Sequence, residues 1–334
     1  METVECDLCG SANSAPYLTS KDYLHGVPGE FTAVRCTECG LIYTSPRPTA
    51  DEMASYYPDD AAYYVPGDEV RRKRKEYRGL NLTFLKLFKG YFPDEPRSSI
   101  KAAALLPLYW LRSHKIVYEG IPDFVPGGRL LEVGCSYGKF LADMRELGWQ
   151  VDGIETNTGA IEQARTLWGI DVRQGMIDTL GLESGAYDAI VMRMVLEHVH
   201  SPKAVLSKLH AALKPGGQLI ITVPDIAGVE ARAFGRYFYG LQLPTHLYHF
   251  TACTLGRMLR ESGFEITDVR HNRNDRDYTG SIENKIKEEG RGAITGMMLS
   301  KPVRKLFVQF AIKALAAFHM TSRMTVHARR LADG

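Results

Sequence analysis

One short segment constrains the fold of this chain more than any other: GRLLEVGCSYGKFLADMRELG, residues 128–148. RLLEV has the apolar run of a buried strand, GCSYG is a turn of small residues, and KFLADMRELG is an amphipathic helix that ends at Gly148. A strand, a glycine-rich turn and a helix N-terminus in this order let a ligand approach the backbone closely. Glu132, two residues before Gly134, favours a ligand with a positive group over a pyrophosphate.

The following segments continue the alternation of strand and helix. The sequence predicts a strand in WQVDGIETN, a helix over 158–168, a short strand in IDVRQG, a strand over 187–192, a helix in SPKAVLSKLHAALKPGG and a strand in QLIITVPD. Such alternation predicts a parallel, doubly wound sheet with its ligand at the carboxyl edge of the strands. Glu155 ends the second strand, where a carboxylate can accept hydrogen bonds from both ribose hydroxyls.

Four of the six cysteines form two C-x-x-C pairs, in CDLCG and CTECG. Each pair places two sulfurs on a tight turn, and two such turns supply the thiolates of a tetrahedral structural Zn²⁺ site: Cys6, Cys9, Cys36 and Cys39. A single pair could be a redox motif, but two matched pairs favour zinc. We expect a reducing, cytoplasmic environment, because we find no signal peptide and no uncharged run of membrane-spanning length.

The two remaining cysteines, Cys135 and Cys253, belong to no spacing motif. We expect both of them to be buried and to act as small apolar residues.

The charge distribution separates the N-terminal module from two later segments. Residues 1–40 carry six acidic and two basic side chains, which argues against phosphate binding there. Residues 71–91 instead hold eight Lys or Arg and one acidic residue, and 301–320 place basic residues on one side of an otherwise apolar helix. Either the segments 71–118 and 301–320 pack on the next domain, or they form an interfacial surface that attracts anionic lipid or a phosphorylated substrate.

These boundaries predict three parts. Residues 1–67 form a zinc-binding module with a tyrosine-rich helix, 68–120 a basic helical connector, and 121–334 the α/β domain. Thr49 and Glu52 have the spacing of a capping box, which opens the helix. The tyrosines that follow either pack the module against the domain or line a substrate pocket: Tyr56, Tyr57, Tyr63 and Tyr64.

The chain resembles class I S-adenosylmethionine-dependent methyltransferases over about 115–270. The resemblance rests on LLEVGCSYG, GIETN and YDAIVMRMVLEHVHSPKAVLSKLHAALKPGGQLIITVPD. A narrower resemblance, to bacterial sugar and natural-product methyltransferases with a zinc module, rests on CDLCG, CTECGLIYTSPRP and HLYHFTACTLGRMLRESGFEI. It implies a Rossmann-like, seven-stranded α/β sheet whose last strand, RMTVHARR, is antiparallel. It also implies a lid over 224–250 and a helical insertion over 275–322.

The resemblance also implies a cofactor site for S-adenosylmethionine. Gly134, Ser136 and Gly138 would contact its amino-acid part, and Glu155 its ribose. The remaining predicted cofactor residues are Met176 and Ile177 beside the adenine, Arg193 and Met194 beside the methyl group, and Glu132, Cys135 and Thr156. Many relatives have an acidic residue at or near position 176, where this chain has Met176. We therefore expect the adenine amino group to be contacted by the backbone or by Asp178.

Methyl transfer from a sulfonium requires alignment and exclusion of water, and a hydroxyl or acidic C–H acceptor also requires a base. Histidine suits this role. We predict His246 as base or substrate ligand, whereas His249, just before the expected N-cap Thr251, more simply fixes the loop. The other candidate catalytic residues are Tyr248, Glu197 and His198, and the last two have a structural role as their alternative.

Two departures from related families limit the chemistry. Deoxysugar C-methyltransferases have a Glu-His pair at a similar place, and here Thr245 precedes His246. Some ubiquinone-pathway O-methyltransferases bind a divalent ion through a carboxylate whose equivalent is Met194, so we expect no catalytic Mg²⁺. We also expect no metal between His246 and His249, because no third ligand is evident in the sequence.

The sequence therefore predicts methyl transfer to a small-molecule acceptor, such as a sugar, a glycan, or a lipid-linked or polyketide-type intermediate. O-transfer is favoured over C- or N-transfer. The alternatives are an RNA methyltransferase with a zinc ribbon, which the acidic module disfavours, and a non-catalytic scaffold that binds the cofactor. A membrane-surface contact stays open, and the oligomeric state is not predicted.

Overall fold

The computed structural model describes residues 1–57, 80–94, 98–112, 120–271, 273 and 275–331. Tyr63, Tyr64 and the basic run 71–79 lie outside the described residues, so the predictions made for them are not addressed.

The N-terminal part begins with three strands and a short helix: β1 (Ser14–Ser20), β2 (Phe31–Cys36), β3 (Ile42–Thr44) and α1 (Ala50–Met53). As predicted, Thr49 caps α1 in a capping box with Glu52. Two helices of the connector follow: α2 (Leu80–Phe88) and α3 (Ser99–Arg112).

The α/β domain follows in chain order. Its first half consists of β4 (Arg129–Val133), α4 (Lys139–Glu146), β5 (Gln150–Glu155), α5 (Thr158–Trp168), β6 (Val172–Gln174), β7 (Tyr187–Arg193), α6 (Pro202–Ala212) and β8 (Leu213–Pro224). Its second half consists of α7 (Val229–Phe234), β9 (Tyr248–His249), α8 (Ala252–Glu261) and β10 (Phe264–His271).

A set of helices then leads to the last strand. These elements are α9 (Arg276–Glu289), α10 (Ala293–Met298), α11 (Lys301–Val303), a π-helical turn (Arg304–Val308), α12 (Gln309–Ala317) and β11 (Arg323–Arg330). Among the described helices, none combines the length and the apolar character that a membrane crossing requires.

The central sheet has seven strands in the order β10-β11-β8-β7-β4-β5-β6. Strands β4 to β8 pair in parallel, whereas β11 is antiparallel to both β8 and β10. Side chains of β7 alternate between two cores: Ile190 and Met192 pack on one face, Ala189 and Val191 on the other. Burial on both faces explains the apolar strands and confirms the predicted Rossmann-like sheet with its antiparallel end.

A second sheet joins the N-terminal module to the α/β domain. Its order is β1-β2-β3-β9, and Tyr43 pairs with Tyr248 across the β3–β9 ladder. The N–H of Thr44 donates to the carbonyl of Leu247 at 2.9 Å, and its hydroxyl donates to the carbonyl of His246 at 2.7 Å. The N-terminal module therefore binds the segment 246–249, which contains both histidines.

Helix α8 begins as the sequence predicts, because Thr251 is its N-cap and accepts a hydrogen bond from the N–H of Thr254. The prediction that Cys253 is buried is wrong: its side chain is exposed. Cys253 lies on the outer side of α8, whereas Leu255 and Leu259 supply the buried side. Cys135 is buried, as expected.

Candidate active site and metal centre

The turn after β4 adopts the conformation that its small residues allow. Gly134, Ser136 and Gly138 all have a positive φ, of 70°, 47° and 74°. A Cβ atom at Gly134 would lie 2.4 Å from Cγ2 of Val195, so only glycine fits there. The N–H of Gly134 donates to the carbonyl of Ile154 at 2.8 Å, which fixes the turn against the end of β5.

Glu155 is held at the same edge of the sheet. Its carboxylate accepts from the backbone N–H of Ser136 at 2.8 Å, of Thr156 at 2.8 Å and of Asn157 at 3.0 Å. The first two strand ends are thus linked through one carboxylate. The predicted cofactor residues Ser136, Glu155 and Thr156 come together here.

Glu132 lies beneath this turn and is fully buried. It accepts hydrogen bonds from the guanidinium of Arg193, whose Nε is 3.1 Å from Oε1. Burial raises the pKa of Glu132 to about 7, although Arg193 opposes this. Its other oxygen, Oε2, has no hydrogen-bond partner among the described residues. An unpaired buried carboxylate oxygen beside the glycine turn suits a cationic ligand, so these residues fit the ammonium group of S-adenosylmethionine.

The predicted adenine side lies in the loop after β6. Met176 is exposed and Ile177 is buried. The ammonium of Lys208 holds this loop by donating to the carbonyls of Ile177 at 2.7 Å, Asp178 at 2.7 Å and Leu180 at 3.0 Å. Sequence analysis missed Lys208, because one lysine on an amphipathic helix carries no signal of a loop contact.

Met194, predicted beside the methyl group, has a positive φ of 58°. Its N–H donates to the carbonyl of Thr222 at 2.8 Å, which ties the end of β7 to β8. Two of the predicted catalytic residues, Glu197 and His198, follow Met194 in the chain.

Glu197, His198 and His246 form one buried cluster, which we call the histidine cluster. One ligand atom from each residue lies within 4.8 Å of the others. The two imidazole rings are nearly perpendicular, with centroids 4.5 Å apart. The carbonyl of Glu197 accepts from the N–H of Leu247 at 2.7 Å, which joins the loop after β7 to the segment before β9. The structure therefore supplies the neighbours of His246 that the sequence did not reveal.

Backbone carbonyls orient both imidazoles. Nδ1 of His246 lies 2.9 Å from the carbonyl of Gly240, and Nδ1 of His198 lies 3.0 Å from that of Thr245. A carbonyl only accepts, so Nδ1 of His246 carries hydrogen and its Nε2 keeps a lone pair. Burial lowers the pKa of His198 to about 4 and that of His246 well below its ordinary value. Both rings are therefore neutral at neutral pH.

Glu197 completes the histidine cluster with a carboxyl group that is not exposed at all. Neither of its oxygens has a hydrogen-bond partner in the described parts of the chain. Burial raises the pKa of Glu197 to about 8, so the group is mostly protonated at neutral pH. Tyr57 also contacts the cluster, because its hydroxyl lies 2.8 Å from Nδ1 of His198. The sequence distinguished Tyr57 only as one of several tyrosines.

The other two candidates contact the protein frame. Nε2 of His249 lies 3.4 Å from the hydroxyl of Thr44. The Tyr248 hydroxyl accepts from Arg47 at 3.0 Å and donates to the carbonyl of His200 at 3.0 Å. Arg47 belongs to the stretch SPRP, whose spacing gave no indication that Arg47 contacts Tyr248.

The four N-terminal cysteines converge as the sequence predicts. The Sγ atoms of Cys6 and Cys39 are 3.4 Å apart, those of Cys9 and Cys36 are 3.5 Å apart, and all four lie within 4.8 Å of one another. In each turn a glycine with positive φ follows the pair and donates to the carbonyl of the first cysteine. Four sulfurs in this arrangement fit a tetrahedral Zn²⁺.

Comparison with known proteins agrees with this geometry. Residues 110–269 match the family described as a methyltransferase domain. The chain is 25% identical over 165 residues to a probable S-adenosylmethionine-dependent methyltransferase of Mycolicibacterium smegmatis, covering 48% of this chain and 61% of that protein. It is 28% identical over 175 residues to a ubiquinone biosynthesis O-methyltransferase of Xanthomonas axonopodis pv. citri, covering 49% of this chain and 73% of that protein.

A solved methyltransferase structure is also similar to part of this chain. An S-adenosylmethionine-dependent methyltransferase from Mesorhizobium loti covers 65% of this chain and 96% of its own, with 19% identity and a TM-score of 0.45.

Residues 110–269, which contain the parallel strands and the glycine turn, are therefore similar to S-adenosylmethionine-dependent methyltransferases in sequence. The cysteine module and the helices after β10 lie outside the matched region, and the match spans less than two thirds of the mycobacterial relative.

Proposed function

We propose that this protein transfers the methyl group of S-adenosylmethionine to a hydroxyl oxygen of a small-molecule acceptor. The observation that carries the proposal is the histidine cluster. Glu197 and His198 come from the loop after β7, where the methyl group is expected, and His246 comes from the segment before β9. Sugars, glycans, and lipid-linked or polyketide-type intermediates all offer such a hydroxyl. In the reaction the acceptor oxygen bonds to the methyl carbon, the carbon–sulfur bond breaks, and the acceptor proton must be removed.

The cofactor supplies an electrophilic methyl group on a sulfonium. Under the proposal Glu132 and the turn from Gly134 to Gly138, which includes Cys135 and Ser136, hold its amino-acid part. The other proposed contacts are Glu155 and Thr156 to the ribose, Met176 and Ile177 to the adenine, and Arg193 and Met194 beside the methyl group.

His246 is the proposed proton acceptor. Its Nδ1 is committed to the carbonyl of Gly240, so the neutral ring offers Nε2. Burial alone makes His246 a weak base. Glu197 compensates for this, because a proton on His246 favours ionisation of the neighbouring carboxyl group, which then stabilises the imidazolium.

Glu197 also bears on the choice between O- and C-transfer. The sequence has Thr245 where C-methyltransferases have a carboxylate before the histidine, but Glu197 provides a carboxyl group to the histidine cluster from another loop. The pair would also serve an acidic C–H acceptor. O-transfer stays our proposal, and the position of a transferred label in the product decides between them.

One observation favours a second role for the histidine cluster, as a divalent metal site. Glu197, His198 and His246 offer two nitrogens and a carboxylate, a set that binds Zn²⁺ or Fe²⁺ with open positions. Backbone carbonyls fix both rings, as in many metal sites. A bound ion would lower the pKa of the acceptor hydroxyl, and His246 would then be a ligand and not the base.

Metal analysis separates the two roles. With His246 as base, we expect one zinc per chain, bound by Cys6, Cys9, Cys36 and Cys39. If a second metal ion is found and is lost in Glu197→Gln while the first remains, the metal mechanism replaces the one in which His246 is the base.

Methyl transfer itself is tested by calorimetry with S-adenosylmethionine and by a screen of hydroxyl acceptors with methyl-labelled cofactor. Absence of cofactor binding would favour the scaffold alternative. RNA as acceptor predicts affinity that falls steeply with salt, and the acidic N-terminal module gives it no support. We also propose a cytoplasmic location and peripheral contact with a membrane through 71–118 and 301–320, which would suit a lipid-linked acceptor.

A further inference from the structure

The helix that precedes β11 is apolar on two opposite sides. Val308, Ile312 and Ala316 are buried on the inner side. On the outer side Phe307, Phe310 and Phe318 are 63%, 74% and 76% exposed. The spacing from 307 to 310, 314 and 318 follows the helical repeat, and residue 314 is an exposed alanine. The sequence left two alternatives for 301–320, packing on the next domain or an interfacial surface, and only the inner side of the helix is packed.

A second exposed apolar segment lies at the same edge of the central sheet. Helix α12 packs on the edge strand β10, and the ring of His319 lies 5.4 Å from that of His271. Tyr109 of α3 lines a cavity with Asp268 and Arg270 of the same strand. Ile100 and Leu106 of α3 are exposed, as is Met297 of α10. Both segments therefore flank β10 and carry large apolar side chains in contact with water.

The segments that carry these side chains contain basic residues and no acidic ones. Residues 291–320 contain five Lys or Arg and no Asp or Glu, and residues 96–118 contain four and none. The whole chain has a net charge of only +2, so both segments are far more basic than the chain as a whole. Aromatic side chains on one face of a helix, flanked by basic residues, are typical of helices that lie in the interface of an anionic membrane.

We propose that Phe307, Phe310 and Phe318, with Ile100, Leu106 and Met297, form a face that binds membranes containing anionic lipid. We call these six residues the apolar face. The phenylalanine rings enter the boundary between headgroups and acyl chains, and the lysines and arginines contact the lipid phosphates. These six residues would carry the membrane contact proposed above, whichever acceptor is methylated.

Cosedimentation with vesicles tests the apolar face. One set of vesicles is phosphatidylcholine, and the other contains phosphatidylglycerol as well. We expect binding to the anionic vesicles that is at least about tenfold tighter than to the neutral ones and that weakens with salt. Phe310→Ser/Phe318→Ser should weaken it by at least about tenfold, because both rings leave the membrane. Both side chains are largely exposed, so the variant keeps its core.

A matched variant controls for the loss of exposed apolar area elsewhere. Tyr17 and Leu331 are 42% and 49% exposed and lie outside the apolar face. Tyr17→Ser/Leu331→Ser should bind anionic vesicles as the unchanged protein does. Affinity for S-adenosylmethionine should be equal in all three proteins, which separates a failure of this inference from a failure of methyl transfer.

Three results would overturn the inference. The first is absence of binding to anionic vesicles at low salt. The second is equal binding by the two double variants. The third is a dimer in solution that Phe310→Ser/Phe318→Ser converts to a monomer, because a second copy of the chain would then cover the face.

Discussion

The cofactor side and the acceptor side of this site are built in different ways. The glycine turn and Glu155 come from one continuous segment, residues 128–157, and hydrogen bonds within that segment hold them. The histidine cluster combines Glu197 and His198 with His246, and the N-terminal module supports it through Thr44 and Tyr57. A change in the turn should therefore act mainly on the cofactor, whereas the acceptor side should respond to distant changes.

Removal of zinc should have the largest effect. Structural zinc sites contribute on the order of 10 kcal/mol to the folding of small modules. Without zinc we expect β3 to lose its place beside β9, so that amide hydrogens of 31–44 and 247–250 exchange faster while those of β4 and β7 stay protected. Hydrogen exchange after chelation measures this.

Cys36→Ser should reproduce the effect of chelation, and Cys253→Ser should not, because Cys253 is exposed and outside the centre. Equal protection of 247–250 with and without zinc would show that the acceptor side does not depend on the N-terminal module.

His246→Gln should lower kcat by roughly 10²-fold to 10⁴-fold, the usual contribution of a general base. His249→Gln should lower it by less than about tenfold, because His249 contacts the frame through Thr44. Steady-state kinetics with saturating cofactor measures both. If His249→Gln loses turnover and His246→Gln keeps it, the two roles are reversed.

Gly134→Ala should weaken S-adenosylmethionine binding by about tenfold or more, because the new methyl group meets Val195 and the backbone has a positive φ. Gly127→Ala is the matched control: Gly127 also has a positive φ, of 67°, but open space at its Cβ position. Calorimetry compares them. An equal loss of affinity in the two variants would show that the effect comes from backbone strain in general and not from this turn.

The smallest effect concerns pH. Burial lowers the pKa of His249 to about 3, whereas an unfolded histidine has a pKa of about 6.5. Between these values the unfolded state binds more protons, so the free energy of unfolding decreases as the pH falls through this window, by up to about 1.4 kcal/mol per pH unit.

His249→Gln should therefore make the free energy of unfolding less sensitive to pH below about 6.5. Denaturant titrations at several pH values give the slope. His198 and His246 contribute in the same direction and remain in both proteins, so the difference between the slopes belongs to His249. An unchanged slope would contradict its burial as a neutral ring.

The same contrast explains what the sequence could predict. The strand, turn and helix over 128–148 are local, so their pattern predicted β4, α4 and the turn of small residues between them. The cysteine spacing predicted the cluster of four sulfurs in the same way. Strand β9 could not be predicted, because its two residues are extended only through pairing with β3, about 200 residues earlier. The grouping of Glu197 with His246 depends on the same long-range contact.

Burial was the least predictable property. Cys253 was expected inside and is exposed, whereas the sequence left open whether the phenylalanines of 307–318 pack or form an interfacial surface. Which side of a helix faces the core depends on how the helix packs, and hydrophobicity alone does not decide this when both sides are apolar.

The central claim is that the cofactor and acceptor sides are separable. Cofactor affinity and single-turnover methyl transfer, measured on the same samples of Gly134→Ala and His246→Gln, test it most directly. We predict that Gly134→Ala loses affinity but recovers turnover at saturating cofactor, whereas His246→Gln keeps full affinity and loses turnover. Parallel losses of affinity and turnover in both variants would contradict this account.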